Sequence, residues 1–231
     1  MRKKIYWSTD PGNKVTFARR TLSYLSLKVR EEQFRIFIES IKPRRGMKIL
    51  DMGVTPVEDL IDSNFFEKRY PYKEDILAAS VEDCHKLKQI YPRIRFKKVE
   101  PHSNFPFRSL QFDIAVSWAT LEHTGTRRTQ SLFLKELARV AKKVFVTTPN
   151  RNLFYEPHSG LLFVHWLPNR YFRKICKLLG KDFWGDINNL NPLSSKDVQN
   201  ILPIKKKFEI RSYKMFGILS SHVLIIKNDA K

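Results

Sequence analysis

The chain has 231 residues, with 43 Lys and Arg against 23 Asp and Glu, a net charge of +20, 42% hydrophobic residues and 13% aromatics. That length and apolar content suit a single folded domain with a sizeable core and exclude a disordered chain. The positive excess draws anionic partners such as nucleic acid, lipid headgroups or an acidic substrate, although it is scattered along the chain rather than gathered in one stripe.

Cys84 and Cys176 lie far apart and in no C-x-x-C pair. They give no reason to expect a metal or a redox dithiol, and they point to a reducing compartment. Residues 1–13 are basic and polar, unlike a secretory signal. The longest apolar run, residues 160–168, falls well short of the ~20 residues a bilayer requires. The expected location is the cytoplasm, at most resting on the inner face of an anionic membrane.

In chain order, Phe34, Phe37, Ile38 and Ile41 follow the i, i+3, i+4, i+7 rule and predict a helix over 29–41, closed by Pro43. Strands are expected at 47–51, 76–79, 94–99, 112–118 and 144–147, with helices at 82–90 and 130–142. The run 112–118 is almost wholly apolar, as befits a strand covered on both faces. Residues 150–192, rich in aromatics, Pro and Asn, break the rhythm. A short helix at 196–202 and two strands, 208–216 and 222–227, parted at Gly217, close the chain as an antiparallel hairpin. Alternating strands and helices with short connections predict a parallel sheet with right-handed crossovers.

The first strand ends Ile49-Leu50-Asp51-Met52-Gly53. In a doubly wound sheet the ligand cleft lies beyond this end, where glycine lets the backbone turn tightly and the acid can hold a cation. Neither G-x-G-x-x-G nor G-x-x-x-x-G-K-[ST] occurs, which argues against dinucleotides and nucleoside triphosphates. Alone, Asp51-x-Gly53 is equally a structural turn.

Its context narrows the reading. Ser117-Trp118 closes the fourth strand and Leu121-Glu122-His123 follows. A helix ending Glu136-Leu137-Ala138-Arg139-Val140 precedes Val146-Thr147-Thr148-Pro149-Asn150-Arg151. That succession resembles the class I S-adenosylmethionine-dependent methyltransferases, in particular their small bacterial type 11 group, over roughly Met47 to Pro192. Asn150-Arg151, Glu156, His158 and His165-Trp166-Leu167-Pro168 resemble a subset associated with surface glycans.

The resemblance implies a Rossmann-like α/β fold: a mostly parallel sheet of about seven strands with an antiparallel last strand and helices on both faces. It implies one domain over 1–231, with a helical segment at 1–45 and a substrate-side insertion at 150–192. It also implies S-adenosylmethionine as cofactor, with Asp51 and Gly53 under its amino-acid end. Glu82 or Asp83 would hold the ribose, Glu100 or His102 would lie near the adenine, and Ser117 and Trp118 beside the sulfonium, to which a Trp face offers a cation–π contact. Packing in the core is an equal reading for Trp118. The family loop D-x-G-x-G-x-G is altered here, with Thr55 and Val57 at the second and third glycines.

Methyl transfer from a sulfonium needs alignment, exclusion of water and sometimes a base. His123 and His158 are the candidate bases, with a structural hydrogen bond the plainer role for His123. The expected acceptor is a small or carrier-linked molecule, such as a glycan or glycolipid precursor, entering past the aromatic and basic insertion. RNA is the alternative acceptor, and a non-catalytic protein that keeps the fold is a third reading.

Overall fold

The computed structural model describes residues 17–202, 207–215 and 218–228. The turn expected at Gly217 and residues 1–13, read as unlike a secretory signal, lie outside the described residues.

Seven strands form one sheet: β1 (Ile49–Met52), β2 (Ile76–Ser80), β3 (Arg95–Lys98), β4 (Phe112–Trp118), β5 (Ala141–Pro149), β8 (Lys207–Met215) and β9 (Ile218–Lys227). Their order is β3-β2-β1-β4-β5-β9-β8. The first five run parallel, and β9 pairs antiparallel with both β5 and β8. This is the Rossmann-like methyltransferase arrangement.

Period-two alternation divides the strand side chains between two cores. Leu50, Ala115, Val144, Val146, Leu224 and Ile226 face one side, where α4 (Arg127–Val140) and α6 (Ser195–Ile201) cover them. Ile49, Ile114, Val116, Phe145, Val223 and Ile225 face the other, under α1 (Phe17–Ile41) and α2 (Phe65–Arg69). Burial on both faces is why these strands are apolar runs rather than alternating ones. Phe37 of α1 is fully buried against Phe66 and Phe145, so truncating it to Ala would cost about 3–5 kcal/mol.

Helix boundaries moved where local hydrogen bonds or tertiary packing prevailed. α1 begins at Phe17, well before the periodic stretch. The helix expected over 82–90 shrinks to α3 (Leu87–Ile90), because Ser80 Oγ accepts the Glu82 N–H and Asp83 accepts the His85 N–H, bending the chain into turns. α4 starts three residues earlier than expected, capped by Thr126, whose hydroxyl accepts the Thr129 N–H. β5 then begins directly at Ala141, paired with Phe112.

Residues 150–192 leave the sheet after β5. They carry a small hairpin of β6 (Tyr155–Glu156) and β7 (Leu161–Leu162), then α5 (Asn169–Leu178). Phe172, Cys176, Trp184 and Leu190 form their own small core. The segment is pinned back onto the sheet: Asn191 N–H donates to Glu122 O, and Arg127 donates to Asn191 O and Pro192 O. No helix among the described residues is long and apolar enough to cross a membrane.

Candidate active site

β2 lies on one side of β1 and β4 on the other, so the crossovers diverge at the carboxyl end of β1. Such a switch point leaves a crevice that no connection fills. Here it is a cavity of about 670 Å³, walled by the loops after β1 to β5, by α1, and by residues of the 150–192 segment.

Asp51, at the end of β1, is buried in its wall, and Glu67 of α2 is buried beside it. The two carboxyl groups share a hydrogen bond, which requires one of them to be protonated. Burial pushes the Asp51 carboxyl well above the usual carboxylate range and the neighbouring Glu67 adds to it, while Arg30 of α1 opposes. Burial also raises Glu67, whose Oε1 has no partner among the described residues. The result is a buried acidic pair at the cavity floor.

Gly53 follows with φ +115, and Thr120 from the turn after β4 occupies the space where a side chain would begin. Thr55 and Val57 need no glycine because Asn64 holds their loop instead. Its Oδ1 accepts the Thr55 N–H at 3.0 Å, and its amide donates to Thr55 O at 2.8 Å and to Glu58 at 2.7 Å. Asn64 adopts the left-handed conformation, which asparagine tolerates better than most residues. A polar clamp from downstream thus replaces the glycine-rich loop.

The other expected cofactor residues divide. Glu82, Glu100, His102 and Trp118 line the cavity. Asp83 is not in the cavity wall: it is exposed, and its carboxylate is spent on the His85 N–H. Ser117 is fully buried, and its hydroxyl donates to Met52 O at 2.8 Å, tying β4 to β1 behind the cavity. Trp118 both lines the cavity and packs in the core, its ring lying among Phe65, Phe66 and Phe145 at centroid distances of 5.5, 6.0 and 5.3 Å.

His123 and His158 come together although 35 residues separate them. Their Nε2 atoms lie 3.1 Å apart, and both residues line the cavity. Burial and the neighbouring His158 hold His123 down to about 3, so it is neutral at physiological pH. His158 Nδ1 meets Glu156 Oε1 at 2.7 Å. Burial alone would raise the Glu156 carboxyl, but His158 and Ser159 outweigh it and hold it at about 2. Glu122 is buried beneath the pair, raised by burial against the opposing influence of His158.

Several wall residues escaped the sequence. Arg30 and Gln33 reach the cavity because α1 crosses it, and Gln33 also donates to Ser221 Oγ of β9 at 2.9 Å. No local pattern marks them. Glu67 had one available signal, an acid directly after Phe65-Phe66 in a run otherwise destined for the core.

No protein-family model matches the sequence, and no curated protein matches it either. Solved structures do. A protein from Rhodobacter sphaeroides described as a zinc-dependent alcohol dehydrogenase superposes with a TM-score of 0.58 at 10% identity, over 86% of this chain and 90% of that one. Magnesium protoporphyrin IX methyltransferase from Synechocystis, solved with S-adenosylhomocysteine, gives 0.55 at 11% identity over 93% and 89%. The YcgJ protein of Bacillus subtilis gives 0.51 at 13% identity over 87% and 100%. At these identities the likeness is one of fold, the Rossmann-like fold of the class I S-adenosylmethionine-dependent methyltransferases.

Proposed function

We propose that this chain binds S-adenosylmethionine in the cavity at the carboxyl ends of β1, β2 and β4 and directs its methyl group to a small or carrier-linked acceptor, of the glycan or glycolipid-precursor kind. The observation that carries the reading is the buried pair Asp51 and Glu67 beside Gly53. Two acids packed together without a full counter-charge are poorly satisfied alone, and an ammonium group resolves that. Phosphate-bearing cofactors fit badly against the same pair.

Glu67 Oε1 is the orphaned buried acceptor that a cationic amino-acid moiety would satisfy. Arg30, in the same wall, suits the carboxylate of that moiety, Glu82 the ribose hydroxyls, and Glu100 and His102 the adenine end. The cofactor, when bound, supplies a sulfonium methyl whose C–S bond breaks as the bond to the acceptor forms, the sulfur keeping the electron pair. The chain's own part is to hold, align and shield.

The acceptor reading draws on the other residues of the cavity wall. Phe154, Tyr155 and Phe183 of the 150–192 segment line the same space as Asp51, and His123 and His158 stand with them. Phe163, Trp166 and Tyr171 add an exposed aromatic surface beside Arg170.

Calorimetric titration of the intact chain and Asp51→Ala with S-adenosylmethionine and S-adenosylhomocysteine tests the proposal. Micromolar binding that disappears in the variant supports it. A folded intact chain that binds neither compound overturns it in favour of a protein that keeps the fold without the chemistry.

A further inference from the structure

Three side chains in or under the cavity wall turn toward one point. His123 Nε2 lies 3.1 Å from His158 Nε2, and Glu122 Oε1 lies 3.9 Å from the first and 3.8 Å from the second. Each is aimed from behind. His123 Nδ1 meets Asn189 O at 2.6 Å, His158 Nδ1 meets Glu156 Oε1 at 2.7 Å, and Glu122 Oε2 accepts the Thr148 hydroxyl at 2.9 Å.

A neutral imidazole that donates through Nδ1 carries a lone pair on Nε2. With a metal ion between the two imidazoles, both Nε2 lone pairs would face it, together with a buried carboxylate oxygen that has no hydrogen-bond partner among the described residues. Three such atoms around one point call for a positive charge between them, either a proton shared by the imidazoles or a metal ion. Ligands bound about 2.0–2.2 Å from a tetrahedral ion stand about 3.3–3.6 Å apart, close to the spacing seen. The carbonyl, carboxylate and hydroxyl behind the three donors are the outer partners that orient metal ligands.

We propose that Glu122, His123 and His158 bind a divalent transition-metal ion of the zinc class, and that its open coordination positions take an oxygen of the acceptor. Two imidazoles with one carboxylate favour zinc, cobalt, iron or manganese over magnesium and calcium. Three protein ligands leave coordination open, and His123 and His158 are the members that line the cavity. The two histidines are then ligands rather than bases, and Glu156, Asn189 and Thr148 are positioning residues. The ion site stands on its own geometry, whereas the acceptor oxygen rests on the methyl-transfer reading. The cysteine count is blind to a site built from nitrogen and oxygen.

The test uses metal-free intact chain titrated with Co²⁺ and Zn²⁺, followed by calorimetry and, for cobalt, visible absorption. One ion per chain with cobalt ligand-field bands is expected, with binding 10- to 100-fold weaker in His158→Gln and Glu122→Gln, and similarly in Glu156→Gln. Thermal unfolding of each variant without metal checks that it folds, and the cobalt spectrum of the intact chain does not depend on any variant. No stoichiometric ion in the folded intact chain, or equal binding in the variants, overturns the proposal and leaves a shared proton between the imidazoles. S-adenosylhomocysteine is titrated separately into the metal-free chain. Its binding without metal binding sinks the ion site alone, whereas metal binding without it sinks the methyl-transfer reading alone.

Discussion

Gly53 and Thr120 pack so tightly that a Cβ on the glycine would lie 2.7 Å from the Thr120 Cβ, at a φ of +115 that L residues rarely adopt. Both the space and the backbone angle therefore exclude a side chain. Gly53→Ala is expected to cost about 1–3 kcal/mol of stability and to weaken S-adenosylhomocysteine binding at least tenfold. Adding Thr120→Ala removes the Oγ1 and Cγ2 contacts but leaves the Cβ contact and the angle, so it should recover only part of the loss. Thermal unfolding and calorimetry of the single and double variants measure both.

The Asp51–Glu67 pair predicts that binding and stability pull in opposite directions. Carboxyl groups raised in the folded state hold protons that the unfolded chain releases. Stability linked to them is fully present below the unfolded value of about 4 and is lost as pH rises through the raised folded value. Asp51→Asn removes that loss. At pH 7 the unliganded variant should be more stable by about 1 kcal/mol, or ~2–4 °C in Tm, while S-adenosylhomocysteine affinity falls at least tenfold. A variant that loses stability as well as affinity would show that the pair is satisfied without a ligand.

Asn64 carries the loop that lacks its glycines. Asn64→Ala deletes the bonds to Thr55 and Glu58 and leaves a left-handed φ of 43 on an alanine. The expected loss is about 2–3 kcal/mol in urea unfolding. Asn64→Gly keeps the backbone angle at ease and should lose less stability, yet bind S-adenosylhomocysteine no better than Asn64→Ala, because the loop has lost its clamp.

His222, on β9, is fully buried, and neither ring nitrogen has a partner among the described residues. Burial holds it down to about 4. The unfolded chain takes up its proton near pH 6.5, so stability present above that pH drains away as pH falls toward 4, at up to about 1.4 kcal/mol per pH unit. His222→Leu should flatten this part of the profile. Chemical denaturation at pH 7.5 and pH 5 compares the two chains, and an unchanged slope would assign the acid sensitivity elsewhere.

Much of the fold was legible because burial on both faces writes itself into sequence as apolar runs such as Phe112–Trp118, and because α4 repeats its apolar residues at helical spacing. Asp51-x-Gly53 marked the switch point for the same local reason: a tight turn at a strand end admits few residue types. What stayed hidden depends on distant partners. Asp83 and Ser117 have the chemistry of ligand contacts, but nearby N–H and C=O groups claim them. Glu67 and Asn64 acquire their meaning from Asp51 and Thr55, and Arg30 and Gln33 from where α1 happens to cross. Glu122 was visible inside Leu-Glu-His, yet nothing local reveals that two histidines converge above it.

The strand order also governs how the chain is made. β9 lies inside the sheet, between β5 and β8, although it follows every other strand in sequence. A nascent chain that has emerged only as far as Leu202 therefore presents the whole flank of β5, including Val144 and Val146, as an unpaired apolar edge, the kind of surface that recruits neighbouring chains. It also lacks Ser221, the anchor for Gln33 in the cavity wall. Ligand binding cannot rescue such an intermediate, since the pocket is finished by the same strand that seals the sheet. Slow elongation through residues 203–218 would prolong the exposure, and chaperone demand during synthesis should peak there.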